Sequence, residues 1–255
     1  MALLKGKTAL VLGLANRWSI AYSIAKAFRR EGANLILTYQ GERQKQTVEE
    51  LAQELGVARV TPCDVTQDAE VERLGEILRL EDSRIDAVVH SIAYANKEDL
   101  SRPFYETSRN GFLLAQDVSA YSLVAVARVV APMMSEGGSI TTLTYMGSTR
   151  VMANYNVMGV AKASLEASVR YLASELGEKK IRVNAISAGP IKTTSARGVR
   201  DFSKMLEHVA ANSPLKRNTD PAEVADAAVF LASDLGRGVT GNVLFVDSGY
   251  QIMGI

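Results

Sequence analysis

The 255 residues contain one cysteine, Cys63, and two histidines, His90 and His208. A lone cysteine forms no intrachain disulfide, which suits a reducing compartment and leads us to expect a cytoplasmic chain. Two histidines without a cysteine cluster are too few for a zinc site, and no metal is expected. Excess charge is missing as well. The 29 Lys+Arg stand against 28 Asp+Glu, a formal net charge of +1, so no nucleic-acid surface is expected. No uninterrupted apolar stretch reaches the ~18 residues of a membrane span. The apolar segment 121–134 is interrupted by Arg128 and Pro132. Lys5 and Lys7 before an apolar run imitate a short signal peptide, but Asn16 and Arg17 follow at once and no cleavage site is clear. A G-x-S-x-G elbow is absent, which argues against a serine hydrolase. There is no linker, internal repeat or low-complexity segment.

What is present is a rhythm. Hydrophobic residues make up 47% and charged residues 22%, near the globular average. Short apolar runs at 8–12, 34–38, 59–62, 85–90, 139–143, 182–186 and 243–246 alternate with segments of helical periodicity. The helical segments are 20–28, 44–55, about 67–80, 111–134 and 155–176. Strand and helix in alternation predict an α/β fold, with a doubly wound parallel sheet of about seven strands covered by helices on both faces. One domain over 1–255 is the expectation. Residues 188–218 break the rhythm, with a short helix expected at 201–210. A connection that long in a compact domain is more often a functional loop than an accident. After it, Asp220-Pro221-Ala222-Glu223 reads as a helix start, with Asp as cap and Glu at the third position.

Gly13 ends the first strand and Ser19-Ile20-Ala21 opens the first helix. A glycine there lets the backbone approach a phosphate, and the helix N-terminus offers free N–H groups to it. The turn after the first strand is not G-x-G-x-x-G, so the motif alone is weak. Gln40, after the second strand, stands where a dinucleotide fold meets the adenosine ribose. Asp64-Val65, after the third, puts a carboxylate where an adenine amino group can donate to it. Taken singly, each is an ordinary strand-end residue; three at successive strand ends are harder to ascribe to chance.

Tyr155 and Lys162, seven apart, fall on one face of the predicted helix, two turns apart. The helix follows the fifth strand, whose end should border the nicotinamide crevice. Together, Gly13 to Ala21, His90-Ser91-Ile92-Ala93, Tyr155 to Lys162 and Ser187-Ala188-Gly189-Pro190-Ile191 resemble the bacterial enoyl-(acyl-carrier-protein) reductases of the short-chain dehydrogenase superfamily. The resemblance runs from near residue 4 to the end. Ordinary members of the superfamily carry G-x-x-x-G-x-G after the first strand and Tyr-x-x-x-Lys on the helix after the fifth, and this chain has neither at those places. The wider spacing has a physical reading. A ketoreductase protonates the oxygen bonded to the carbon that receives hydride. In an enoyl reductase the charge builds on the thioester oxygen, three bonds beyond the β-carbon, so the donor moves out by about one helical turn.

The resemblance implies NADH-dependent reduction of the trans-2 double bond of enoyl-acyl-carrier-protein thioesters in fatty acid elongation. Tyr155 would hydrogen-bond the developing enolate oxygen and Lys162 would hold the ribose hydroxyls. Tyr145 would line the site at a position where ordinary relatives carry serine. Carried over by position, Gly13, Ser19, Ile20, Gln40, Asp64, Val65, Ile92, Lys162, Ile191, Lys192, Thr193, Thr194 and Ser195 would touch cofactor. Ala95, Met158 and Phe202 would border substrate, and 188–218 would be the substrate-binding loop. Neutral Gln40 favours NADH, with NADPH left open by nearby Arg43. Further implications are a homotetramer with the tail 250–255 at an interface, and an acidic acyl carrier protein as partner, met by Arg197, Arg200 and Lys204. Two rivals stay open: a 3-oxoacyl or ketone reductase of the same superfamily, and a non-catalytic dinucleotide sensor.

Overall fold

The computed structural model describes residues 2–81, 84–193 and 201–254. Seven strands form one sheet: β1 Thr8–Leu12, β2 Asn34–Tyr39, β3 Arg59–Pro62, β4 Ala87–His90, β5 Gly138–Thr144, β6 Ile181–Ala188 and β7 Val243–Val246. Their order is β3-β2-β1-β4-β5-β6-β7, with every neighbouring pair parallel. The chain leaves β1 for β2 on one side and later returns to place β4 on the other. The carboxyl ends of β1 and β4 therefore diverge and leave a crevice, where open α/β sheets bind ligands.

The helices are α1 Ile20–Arg30, α2 Glu42–Glu54, α3 Asp68–Leu80, α4 Lys97–Ser101, α5 Arg109–Gln116, α6 Ser122–Val130, α7 Asn156–Leu176, α8 Phe202–Asn212 and α9 Pro221–Ala232. They cover both sheet faces, because strands buried on both sides carry apolar residues at nearly every position. Leu10, Val11 and Leu12 are all fully buried. On one face Val11 and Leu37 meet Ile24 and Phe28 of α1 and Val224 and Ala228 of α9. On the other, Leu10, Leu12 and Ile140 meet Leu74 of α3, Leu123 and Val126 of α6, and Leu165 of α7. Asp220 caps α9 as its sequence predicts, through a capping box with Glu223.

Several boundaries differ from the sequence reading. The predicted 111–134 helix runs Arg109–Met133 and is continuous, with one π-helical turn at Asp117–Tyr121. It is long and apolar enough to cross a membrane, yet Leu123, Val126 and Val130 are buried in the core. The short helix α8 starts at Phe202, after Asp201 at a left-handed φ of 58°, and ends at Asn212. The expected tail contact is partly internal. Tyr250 is buried against Met146 and Val209 of its own chain, whereas Ile252 is exposed.

Candidate active site

Two adjoining cavities open at the carboxyl ends of the strands. The first, of about 630 Å³, is lined by Gly13, Ser19, Ile20, Gln40, Val65, Ile92, Lys162 and Thr193, among others. The second, of about 490 Å³, is lined by Ala95, Tyr145, Tyr155, Met158, Ile191 and Phe202, among others. Ile20, Ala93, Tyr94 and Thr193 line both. A ligand passing between them would therefore cross one short boundary.

The glycine at the head of the first cavity has a steric cause. Gly13 has φ +89°, and a Cβ built there would lie 2.0 Å from the Ser91 carbonyl oxygen. The chain after β1 thus touches the chain after β4, and a side chain does not fit between them. Beyond it, Ser19 caps α1 by accepting from the Tyr22 N–H at 3.3 Å, and its hydroxyl donates to the Asn16 carbonyl at 2.7 Å. The first turn of α1 carries no acidic residue to compete for its free N–H groups. A 630 Å³ cavity with a glycine cradle, a helix N-terminus and a buried lysine fits a dinucleotide.

Gln40 lines the cavity and donates from Nε2 to Asp64 Oδ2 at 3.2 Å. Asp64 does not line it, although its neighbours Cys63, Val65 and Thr66 do. Its Oδ1 is held by the Thr66 N–H at 3.0 Å and the Thr66 hydroxyl at 2.8 Å. The carboxylate thus orders the loop after β3 and holds Gln40 at the cavity wall. The predicted cofactor run 191–195 divides as well. Ile191 faces the second cavity, Lys192 lines neither, and Thr193 lines both. Thr194 and Ser195, with Arg197 and Arg200, lie outside the described residues. Sequence reasoning passed over Leu14, Gln44, Thr66 and Tyr94 in the first cavity and Met205 in the second. Their identities carry no chemical signal; only the converging loops bring them to the wall.

Tyr155 is the N-cap of α7 and not part of its first turn, contrary to the periodicity argument. Asn154 and Asn156 on either side have φ of 61° and 38°, so the chain turns sharply there. The turn sends Tyr155 to the second cavity, while Lys162 faces the first. Tyr155 packs edge-on against Tyr145, with ring centroids 5.0 Å apart at 71°. Burial pushes the Tyr155 phenol above its usual range, with Tyr145 and Glu166 adding to the effect. Burial does the same for Tyr145, followed by Tyr250 and Asp247. Both hydroxyls therefore keep their protons and can donate. Tyr145 donates to the Met205 sulfur at 3.6 Å, which links the site to α8.

Lys162 is 5% exposed and donates from Nζ to the Leu143 carbonyl at 2.8 Å. Burial lowers its pKa to about 8, against an opposing pull from Glu166. His90, at the end of β4, is fully buried between the Thr142 and Ser122 hydroxyls, at 2.9 and 2.8 Å. Burial and then Lys162 lower its pKa to about 3. The ring is neutral and touches neither cavity wall. Cys63 lines the first cavity, but burial pushes its thiol up to about 12, which leaves it unreactive.

A family model described as enoyl-(acyl carrier protein) reductase matches residues 13–251. The chain belongs to that family. It is 56% identical over 256 residues to an NADH-dependent enoyl-(acyl-carrier-protein) reductase of Bacillus cereus, with each chain covered in full. It is 50% identical over 250 residues to an NADPH-dependent reductase of Staphylococcus aureus, covering 97% of this chain and 98% of the other. The crystal structure of the Bacillus cereus reductase with NADP+ and an indole naphthyridinone superposes with a TM-score of 0.98 at 56% identity, with each chain covered in full. The chain therefore shares that reductase's fold, a seven-stranded Rossmann-like sheet.

Proposed function

We propose that this reductase reduces the trans-2 double bond of enoyl-acyl-carrier-protein thioesters in fatty acid synthesis. The observation that carries the reading is the arrangement of Tyr155 and Lys162 on adjoining cavities. The first cavity accepts the dinucleotide, with its pyrophosphate toward Gly13 and the α1 N-terminus. The nicotinamide, when bound, supplies the hydride that goes to the substrate β-carbon. Lys162 holds the ribose hydroxyls and contributes positive charge. Tyr155 donates a hydrogen bond to the thioester oxygen, where negative charge develops, and the enolate then takes a proton at the α-carbon, from Tyr155 or solvent, to give the saturated thioester. Tyr145 packs against Tyr155, fixes its ring and assists. Ala95, Met158 and Phe202 give the acyl group an apolar wall, and Ile191 and Met205 of the proposed substrate loop border it. The purified chain should consume NADH with a trans-2-enoyl thioester and form the saturated product. Consumption only with 3-oxoacyl thioesters would favour the ketoreductase reading, and binding without turnover a sensor.

For cofactor choice, the neutral Gln40 at the cavity wall supports NADH, because it brings no charge toward a 2′-phosphate. Named relatives use either cofactor. The specificity constant should be higher for NADH than for NADPH. A clear NADPH preference would show that Arg43 or another basic group reads the phosphate.

The partner implied is an acidic acyl carrier protein. Lys204 on α8 is exposed beside the second cavity's Phe202 and Met205, and pairs with Asp201 at 3.2 Å. We expect charge reversal at Arg200 and Lys204 to raise the Michaelis constant for carrier-protein substrate and to leave a short coenzyme A thioester nearly unaffected. Added salt should mimic the mutations, since rim charges act on association and are screened. Equal loss with both substrates would show that these residues shape the loop instead. For assembly, we propose a homotetramer. Leu113, Tyr121, Val124, Val160 and Tyr171 remain exposed on the outer sides of the long helices, an apolar surface of the kind subunit contacts cover. One free buried cysteine supports a cytoplasmic setting.

A further inference from the structure

Glu166 has no part in the mechanism above, yet it is buried beside it. It lies on α7 four residues beyond Lys162, one turn along the same face. Its relative exposure is 7%, against 5% for Lys162. A buried carboxylate is costly unless it is hydrogen-bonded and compensated by charge. The Thr144 hydroxyl donates to Glu166 Oε1 at 2.6 Å. The preceding residue of β5, Leu143, accepts from Lys162 Nζ at 2.8 Å. Two successive residues at the end of one strand thus hold the anion and the cation.

The other titratable groups on the elements packed around Lys162 are uncharged or act on it less than Glu166 does. From β4, His90 is neutral. From the N-terminus of α7 and the end of β5, Tyr155 and Tyr145 are protonated. Asp117, on the π-helical turn packed against α7, has its carboxyl pushed up by burial and then by the like charges of Asp68 and Asp64. Arg182 of β6 couples to Asp234. Among the described residues, Glu166 is the group whose charge opposes the desolvation of Lys162.

We propose that Glu166 is a positioning residue that acts through Lys162, its buried carboxylate, held by Thr144, keeping the lysine charged near neutral pH so that it can hold the cofactor. The sign follows from charge. Burial favours the neutral amine, and Glu166 favours the ammonium. Removing the carboxylate charge leaves desolvation unopposed, and Lys162 then loses its proton at lower pH. The inference rests on the reading of Lys162 as a cofactor-holding residue, and the experiment separates the two.

The test is the dissociation constant of NADH, measured by nucleotide fluorescence from about pH 6 to about pH 9.5. The proteins are the full chain and its Glu166→Gln, Glu166→Asp, Lys162→Met and doubly substituted Lys162→Met/Glu166→Gln variants. Glutamine has the shape of glutamate and can still accept from Thr144, so only the charge is removed. In the wild type, binding should weaken as pH rises through about 8. In Glu166→Gln the weakening should begin lower, so that near pH 8 affinity falls roughly 3- to 10-fold below wild type while near pH 6 the two agree. Glu166→Asp, which keeps the charge, should bring the profile back. Lys162→Met should flatten it, and adding Glu166→Gln should then change nothing further. A Glu166→Gln profile parallel to wild type overturns the proposal. So does a shift that persists without Lys162, or one that Glu166→Asp does not reverse. Should Lys162→Met bind NADH as tightly as wild type at every pH, the cofactor role of Lys162 falls too. Should it bind weakly while Glu166→Gln tracks wild type, the role of Glu166 alone falls.

Discussion

Turnover should fall roughly 100-fold when Tyr155 is replaced by phenylalanine, the lower end of what a positioned proton donor contributes. The substitution removes one hydroxyl and keeps the ring that packs on Tyr145 at 5.0 Å. Because burial holds the Tyr155 phenol above its usual range, the wild-type hydroxyl is a donor throughout the working pH range. The lost hydrogen bond forms at an oxygen whose charge appears only as hydride arrives. The loss should therefore fall on kcat more than on KM. NADH affinity should stay near wild type, since Tyr155 faces the second cavity and not the first. Steady-state kinetics with a trans-2-enoyl thioester, alongside an NADH titration, checks all three statements. A loss of only a few-fold, with a heavy loss in Tyr145→Phe, would move the donor role to Tyr145.

Gly13→Ala should weaken NADH binding by about 100-fold or more, since displacements of ~1 Å at a positioned site can cost that much. An added Cβ would stand 2.0 Å from the Ser91 oxygen and 2.6 Å from its carbonyl carbon. Both are backbone atoms, so no side-chain rotation relieves the clash. The loop after β1 and the strand end of β4 would have to separate, and both form the cofactor cavity. The positive φ of 89° adds strain for any residue with a Cβ. Gly6→Ala is the control. It has φ +78° and open space around the would-be Cβ. It should lower the melting temperature slightly and leave NADH affinity unchanged. Equal NADH affinity in Gly13→Ala and wild type would show that the β1–β4 contact does not shape the cofactor cavity.

The order of elements was legible in the chain because each strand is a short apolar run and each long helix repeats its apolar residues at helical spacing. These are local properties, and burial on both sheet faces only sharpens them, as at Leu10, Val11 and Leu12. Helix ends were read where a cap is encoded locally, as at Asp220 and Glu223. They were missed where backbone turns decide, as at Asn154 to Asn156 and at Asp201. The sequence by itself therefore determined the alternation of strand and helix, the glycine at the end of β1, and the Tyr155–Lys162 pair whose spacing carries the family resemblance. The tertiary structure alone decided which strand ends lie side by side. Through that it directed Tyr155 and Lys162 to different cavities, tied Asp64 to Gln40 and Thr66, and buried Glu166 beside Lys162. The physical reason is range. Periodicity and capping act within a few residues, whereas desolvation and close approach depend on segments tens of residues apart, as where Gly13 meets Ser91.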